Sequence, residues 1–241
     1  MSATDQAPEI LAPNGSLRVG VFAGSPLSMA RDIRTGEIHG LCVDLGKELA
    51  RWLGVRFEPV EFQRIAEVIE VMKAGDIDFT ISNATAARAV DVAFSQTLLS
   101  VELGYLISAI SPIATMADVD KPGVRVGITE GSTSQRTLPT ILPNATVVPA
   151  QNSRRALEMF ERRELEVFST NKPTLFEMSD QMPGARVLDG RWGVEHIAIA
   201  IPKGREPAME YLRGFVADVQ TNGLLSQAVA HAGLRGVVTA Q

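Results

Sequence analysis

Apolar and polar residues follow two rhythms along this chain, and the rhythms recur in a fixed order. Leu17-Arg-Val-Gly-Val-Phe22 alternates and is β-branched, which predicts a buried first strand running into a turn at Ala23-Gly-Ser-Pro26. Thr35-Gly36 and His39-Gly40 mark a short hairpin. Leu45, Leu49, Trp52 and Leu53 then share one face of a helix that Asp44 can cap and Gly54 can stop. A second strand over 55–60 follows, then a helix with Ile65, Val68, Ile69 and Met72 inward and Gly75 at its end, then a third strand over 76–81. The order strand, helix, strand, helix, strand implies parallel pairing with right-handed crossovers. In such sheets ligands sit beyond the carboxyl ends of the strands, and the turns at 23–26 and 82–88 lie at that edge.

After an apolar, β-like run over 101–111 the pattern restarts. Val124-Arg-Val-Gly-Ile-Thr-Glu-Gly-Ser132 echoes Leu17-Arg-Val-Gly-Val-Phe-Ala-Gly-Ser25 almost position for position, so a second αβ lobe is expected to open as the first does. Strands at 145–148 and 166–169, a helix over 153–163 and a helix opened by Lys172-Pro173 continue it. A short strand over 186–188, a β run over 195–201 and two closing helices over 206–219 and 224–232 complete the chain. The expected division is a flexible tail over 1–16, lobe 1 from 17–105 plus 200–241, and lobe 2 from 106–199. Two crossings between the lobes would make a hinge.

With 241 residues, 45% of them hydrophobic, the chain can bury a sizeable core. A net charge of −5 with no Lys/Arg run argues against nucleic acid and anionic membrane as partners. The single cysteine, Cys42, excludes an internal disulfide and a multi-Cys metal site, and is expected to pack as a small apolar group. The first residues are polar and lack the apolar core of an export signal. That fits either a cytoplasmic protein or one whose signal has been removed.

The chemistry concentrates at strand ends. Thr80 to Ser95 turns through small hydroxyl and amide residues and sets Arg88 on a short helical turn. A strand end with backbone donors and one guanidinium fork suits a carboxylate, although Arg88 would also serve as an ordinary solvated side chain. Gly131-Ser132-Thr133 at a helix start offers amides and the positive end of a helix dipole, with Ser132 as a plain N-cap the blander reading. The three histidines, His39, His196 and His231, lie far apart and form no ligand pair, with His196 expected as a satisfied interior residue. No nucleophile elbow or phosphate loop is present, and no cofactor or metal is called for. Glu130 and Glu195 are the carboxylates that could act as acids if buried.

The chain resembles the type II periplasmic binding proteins, specifically the polar amino-acid group of ABC transporters, the family 3 extracellular solute-binding proteins. The motifs are Leu17-Arg-Val-Gly20, Gly40-Leu-Cys-Val-Asp-Leu45, Lys73-Ala-Gly-Asp-Ile-Asp78, Ala84-Thr-Ala-Ala-Arg88 with Asp91-Val-Ala-Phe-Ser95, and Val126-Gly-Ile-Thr-Glu-Gly-Ser-Thr133, in that order. The resemblance implies an α/β fold of two lobes that close on a small solute and deliver it to a membrane permease. It further implies a monomer in the periplasm with its export signal removed. Arg88 matches the arginine that forks the ligand carboxylate, and Asn83 and Thr133 match backbone donors to it; Ser82, Ser132, Phe22 and Arg64 complete the expected binding set with Asn171. Three positions depart from the family pattern. Asn171 stands where an aspartate usually meets the ligand ammonium, Phe22 and Ser25 replace an acidic residue and an aromatic, and Arg64-Ile65 replaces an aromatic wall. A plain organic acid, or an amino acid whose ammonium meets neutral acceptors, fits equally. The alternative is an enzyme on the same scaffold, of the cyclohexadienyl dehydratase type, working through a buried carboxylic acid.

Overall fold

The computed structural model describes residues 6–238. In chain order its elements are α1 (Ala7–Leu11), β1 (Ser16–Phe22), β2 (Ala30–Arg31), β3 (Ile38–His39), α2 (Leu41–Leu53), β4 (Arg56–Phe62), α3 (Ile65–Lys73), β5 (Thr80–Asn83) and β6 (Val92–Ile107). They continue with β7 (Arg125–Thr129), α4 (Thr133–Ile141), β8 (Thr146–Ala150), α5 (Ser153–Glu161), β9 (Val167–Asn171), α6 (Lys172–Gln181), β10 (Arg186–Val187), β11 (Gly193–Pro202), α7 (Met209–Thr221), α8 (Leu224–His231) and β12 (Val237–Val238).

The chain divides into two compact units, one of Met1–Ser100 with His196–Leu234 and the other of Val101–Glu195 with Arg235–Gln241. The sequence reading places its two crossings after residues 105 and 199. The division adds a third at Leu234/Arg235. Contacts within the second unit account for it: Arg235 pairs with Asp180 at 2.5 Å and lies 4.7 Å from the Phe176 ring centre, and β12 pairs with β6.

In the first unit β1 and β4 pair in parallel from Ser16↔Arg56 to Phe22↔Phe62, and Val19 bridges Phe79. In the second, β7 pairs in parallel with both β8 and β9. Parallel pairing does not extend throughout, because β5 runs antiparallel to β11 and β9 antiparallel to β6. The strand expected over 76–81 forms later, at Thr80–Asn83, where it pairs with β11. The first unit buries Val68, Ile69, Met72, Ile77, Val92 and Ala200 in one cluster. In the second, buried residues cluster around Tyr105 and Ile128 and around Leu106 and Phe168.

The repeated strand motif has a three-dimensional counterpart in each unit. Arg18 donates its backbone N–H and Nε to Asp78 Oδ2 at 2.8 and 2.9 Å, and its Nη2 to the Gly75 carbonyl at 2.6 Å. Arg125 donates its backbone N–H and Nε to Glu166 Oε2 at 2.8 and 3.0 Å, and its Nη2 to the Arg163 carbonyl at 2.6 Å. The glycines two positions on are required by the same packing. A Cβ on Gly20 would lie 2.5 Å from Ile77 Cδ1, and one on Gly127 would lie 2.5 Å from Leu165 Cδ1. Both crossover helices end in one type of turn, with Gly75 at φ 81° and Arg163 at φ 55°.

Three sequence expectations are corrected. Within the expected flexible tail, residues 7–11 form a docked helix: Ala7 and Leu11 are fully buried, and the Leu11 carbonyl accepts from Arg205 at 3.1 Å. Asp44 does not cap α2, which starts earlier at N-cap Gly40. The first amides of α2 are satisfied instead by main chain, Leu41 N–H on the Pro26 carbonyl and Cys42 N–H on that of Leu27, both at 3.1 Å. Asp44 meets His231 Nδ1 at 2.7 Å. His196 is exposed, because β11 alternates with Glu195 and Ile197 inward; its Nδ1 lies 3.0 Å from Ser100 Oγ. Cys42 is buried, and desolvation pushes its thiol up to about 12, so it behaves as an apolar group.

Candidate functional site

In the first unit the site residues gather where β5 ends. All four residues of β5 are buried, Ser82 and Asn83 at 5% and 9% exposure. Asn83 Oδ1 accepts the His196 N–H of β11 at 3.2 Å, which fixes the strand end. The chain then folds into a single 3-10 turn over Arg88–Val90, started by the Ala89 N–H on the Thr85 carbonyl at 2.9 Å. Arg88 donates its backbone N–H to Thr85 Oγ1 at 3.2 Å. Lys73 at the end of α3 pairs with Asp91 at 2.8 Å, tying down the far side of the turn and raising the lysine's affinity for its proton.

The Arg88 side chain does not lie out in water. It is 9% exposed, and Nη1 donates to Ser82 Oγ at 2.7 Å and to the Asn83 carbonyl at 3.4 Å. These bonds fix the plane of the guanidinium, and a fork fixed in this way suits a planar carboxylate. Phe22 ends β1 half-buried, its N–H donating to Ser28 Oγ at 2.9 Å. Arg64 is the N-cap residue of α3, with Nε 3.5 Å from Glu67 Oε1.

In the second unit Gly131 takes φ 74°, and its N–H donates to Gln135 Oε1 at 2.6 Å. Ser132 is the N-cap of α4, accepting the Gln135 N–H at 3.3 Å, and Thr133 is the first residue of the helix. The plain capping role of Ser132 is therefore real, and it coexists with the helix start that an anion would favour. Asn171 ends β9 and caps α6: Oδ1 accepts the Thr174 N–H at 3.2 Å, and Nδ2 lies 3.5 Å from Glu195 Oε2. Glu195 on β11 is 9% exposed. Its place beside Asn171 was not legible in sequence, because 24 residues separate them. Nearby, Glu102 accepts from Lys172 at 2.5 Å and Arg191 at 3.0 Å, and Lys172 foremost holds its carboxyl below the usual range. Among the described residues no group of three or more His, Cys, Asp or Glu could hold a metal, and no helix is long and apolar enough to cross a membrane.

The model of the bacterial extracellular solute-binding proteins, family 3, matches residues 17–231. The glutamine-binding protein of Geobacillus stearothermophilus is 26% identical over 206 residues, 84% of this chain and 78% of that protein. Two solved structures align with a TM-score of 0.81. One is an ancestral amino acid-binding protein described as a precursor of cyclohexadienyl dehydratase, 23% identical over 95% of this chain and 98% of that one. The other is the solute receptor for L-cysteine of Neisseria gonorrhoeae, 22% identical over 95% and 92%. These likenesses establish the type II periplasmic-binding fold. With nearly the whole chain matched by the family model, the protein belongs to the bacterial extracellular solute-binding proteins, family 3.

Proposed function

We propose that this chain is the capture component of an ABC importer, binding an amino acid or related organic acid by its carboxylate. Arg88 is the anchor. The supporting observation is its burial at 9% exposure with Nη1 on Ser82 Oγ, which orients the fork in advance of a ligand. Main chain at Asn83, and Ser132 and Thr133 at the start of α4, supply further donors. Asn171, Phe22 and Arg64 shape the remainder. The relatives' names point the same way, since one is called a glutamine-binding protein and another a solute receptor for L-cysteine. As a member of an extracellular family the protein works outside the cytoplasm; we place it in the periplasm, monomeric, after loss of an export signal, and facing a membrane permease. Binding is its whole activity on this reading, with no chemical step.

Thermal-shift screening against amino acids and organic acids tests the proposal. The expected result is stabilisation by one or a few carboxylate ligands, with the matching carboxamides inactive. Failure of every acid to shift the melting point would overturn it. Turnover of a bound ligand, followed by NMR, would overturn the non-enzymatic part.

A further inference from the structure

In sequence the three histidines lie far apart and form no ligand pair, but folding brings two of them together in the first unit. His39 ends β3 and His231 ends α8, and their rings stand 5.5 Å apart, centre to centre, at a tilt of 46°. His231 Nδ1 lies 2.7 Å from Asp44 Oδ2 on the first turn of α2, which fixes the ring and leaves Nε2 on its far side. His39 Nδ1 is buried and makes no hydrogen bond, a cost that a bound cation would remove. Asp44 and His231 line a groove of about 390 Å³ with α2 on one side and α8 on the other, which leaves room for water. The cations of that groove are engaged elsewhere: Arg51 pairs with Glu48 at 2.6 Å, and Lys47 Nζ donates to the Ile38 carbonyl at 3.4 Å.

The geometry points to a two-histidine site for a divalent transition metal of the Zn²⁺ class, with His39 and His231 as ligands, water completing the coordination and Asp44 orienting the His231 ring. A zinc–imidazole bond of about 2.0–2.1 Å places each ring centre about 3.2 Å from the metal, so two rings at a tetrahedral angle stand about 5.2 Å apart, and the observed 5.5 Å corresponds to an angle of about 115–120°. A carboxylate behind a ligating histidine fixes its tautomer and raises its basicity, which is the place Asp44 takes. Imidazole nitrogens select Zn²⁺, Ni²⁺ and Cu²⁺ over Mg²⁺. Among the described residues no third His, Cys, Asp or Glu joins the pair, so the ion binds reversibly. The two elements it ties together are lightly packed: Ala228 is the buried residue of α8, and both residues of β3 are half-buried. The ion therefore acts as a staple within the first unit, stabilising it because the ligands meet only in the folded chain. The site is separate from ligand capture and does not depend on Arg88.

The test uses the untagged full chain, with Zn²⁺, Ni²⁺ and Cu²⁺ as probes and Mg²⁺ as the control, read by calorimetry and by thermal shift. Wild type is expected to bind one Zn²⁺ and to melt at a higher temperature with it, and to ignore Mg²⁺. His39→Ala and His231→Ala should each abolish saturable binding and the melting shift, while Asp44→Ala should raise the Kd by ~10- to 100-fold. His196→Ala, which removes the third histidine, should change neither. Electron paramagnetic resonance of the Cu²⁺-loaded wild type should show coupling to two imidazole nitrogens, a signature that mere ring packing does not produce. Absence of saturable binding by wild type overturns the inference. Binding that survives in the His39→Ala, His231→Ala double variant, or that His196→Ala removes, overturns it too. Should the histidine variants fail to fold, a wild-type Cu²⁺ spectrum with fewer than two coupled nitrogens overturns it alone.

Discussion

Replacing Arg163 by glycine should stabilise the protein. Arg163 is the one non-glycine residue among those described with positive φ, at 55°. Its counterpart in the first unit is Gly75, at φ 81°, and both carbonyls accept from the arginine of the repeated strand, each at 2.6 Å. The second unit thus uses an L side chain where the first uses glycine. Left-handed backbone costs a non-glycine residue about 1–2 kcal/mol. Glycine returns about 0.5–1 kcal/mol of that through its freer unfolded chain. The net gain is then about 0.5–1 kcal/mol, or roughly 1–4 °C in Tm for a chain of this size. The Arg163 side chain is exposed, so little is lost with it. Urea unfolding followed by circular dichroism measures the difference, with Arg163→Ala as the control that removes the side chain but keeps the Cβ. Gly75→Ala, where nothing lies within 4 Å of the added atom, should destabilise through φ alone. An Arg163→Gly protein no more stable than Arg163→Ala would refute the reasoning.

Asp78 is fully buried and binds both Arg18 and Arg205 at 2.7 Å, so Asp78→Ala should cost about 3–5 kcal/mol in denaturant unfolding, since two largely buried guanidinium groups lose their partner. Glu166→Ala should cost clearly less, because Glu166 and Arg125 retain 31% and 41% side-chain exposure and water screens the pair. Hydrogen bonding from Arg125, foremost, holds the Glu166 carboxyl below its ordinary value. A depressed folded-state value contributes stability that is present above about pH 4.5 and lost as pH falls through the lowered value; Glu166→Gln should flatten that acid limb of the stability profile.

Sequence carried the elements well where the determining interactions are local. The recurrence of residues 17–25 at 124–132 announced two units that open alike. What it could not show was the reason for the arginine in each copy, since the partners of Arg18 and Arg125 lie 60 and 41 residues away. The start of α2 is not legible at Asp44, because its first amides are satisfied by the Pro26 and Leu27 carbonyls, which arrive from another segment. The docking of α1 depends on Arg205, 194 residues from the Leu11 carbonyl it meets. At the candidate site, residue type sufficed to single out Arg88 on its turn. The anchoring of its guanidinium by Ser82, and the place of Glu195 beside Asn171, depend on how β5, β9 and β11 set their neighbours, which is decided by pairing rather than by composition.

The central claim is that the Arg88 guanidinium holds the ligand carboxylate, and calorimetric titration of wild type and Arg88→Ala with the strongest ligand from the thermal screen tests it most directly. Two charge-assisted hydrogen bonds of about 1.5–3 kcal/mol each predict at least a ~100-fold rise in Kd for Arg88→Ala. Its unliganded melting curve should remain cooperative. Unchanged affinity in a cooperatively folded Arg88→Ala protein would contradict the account.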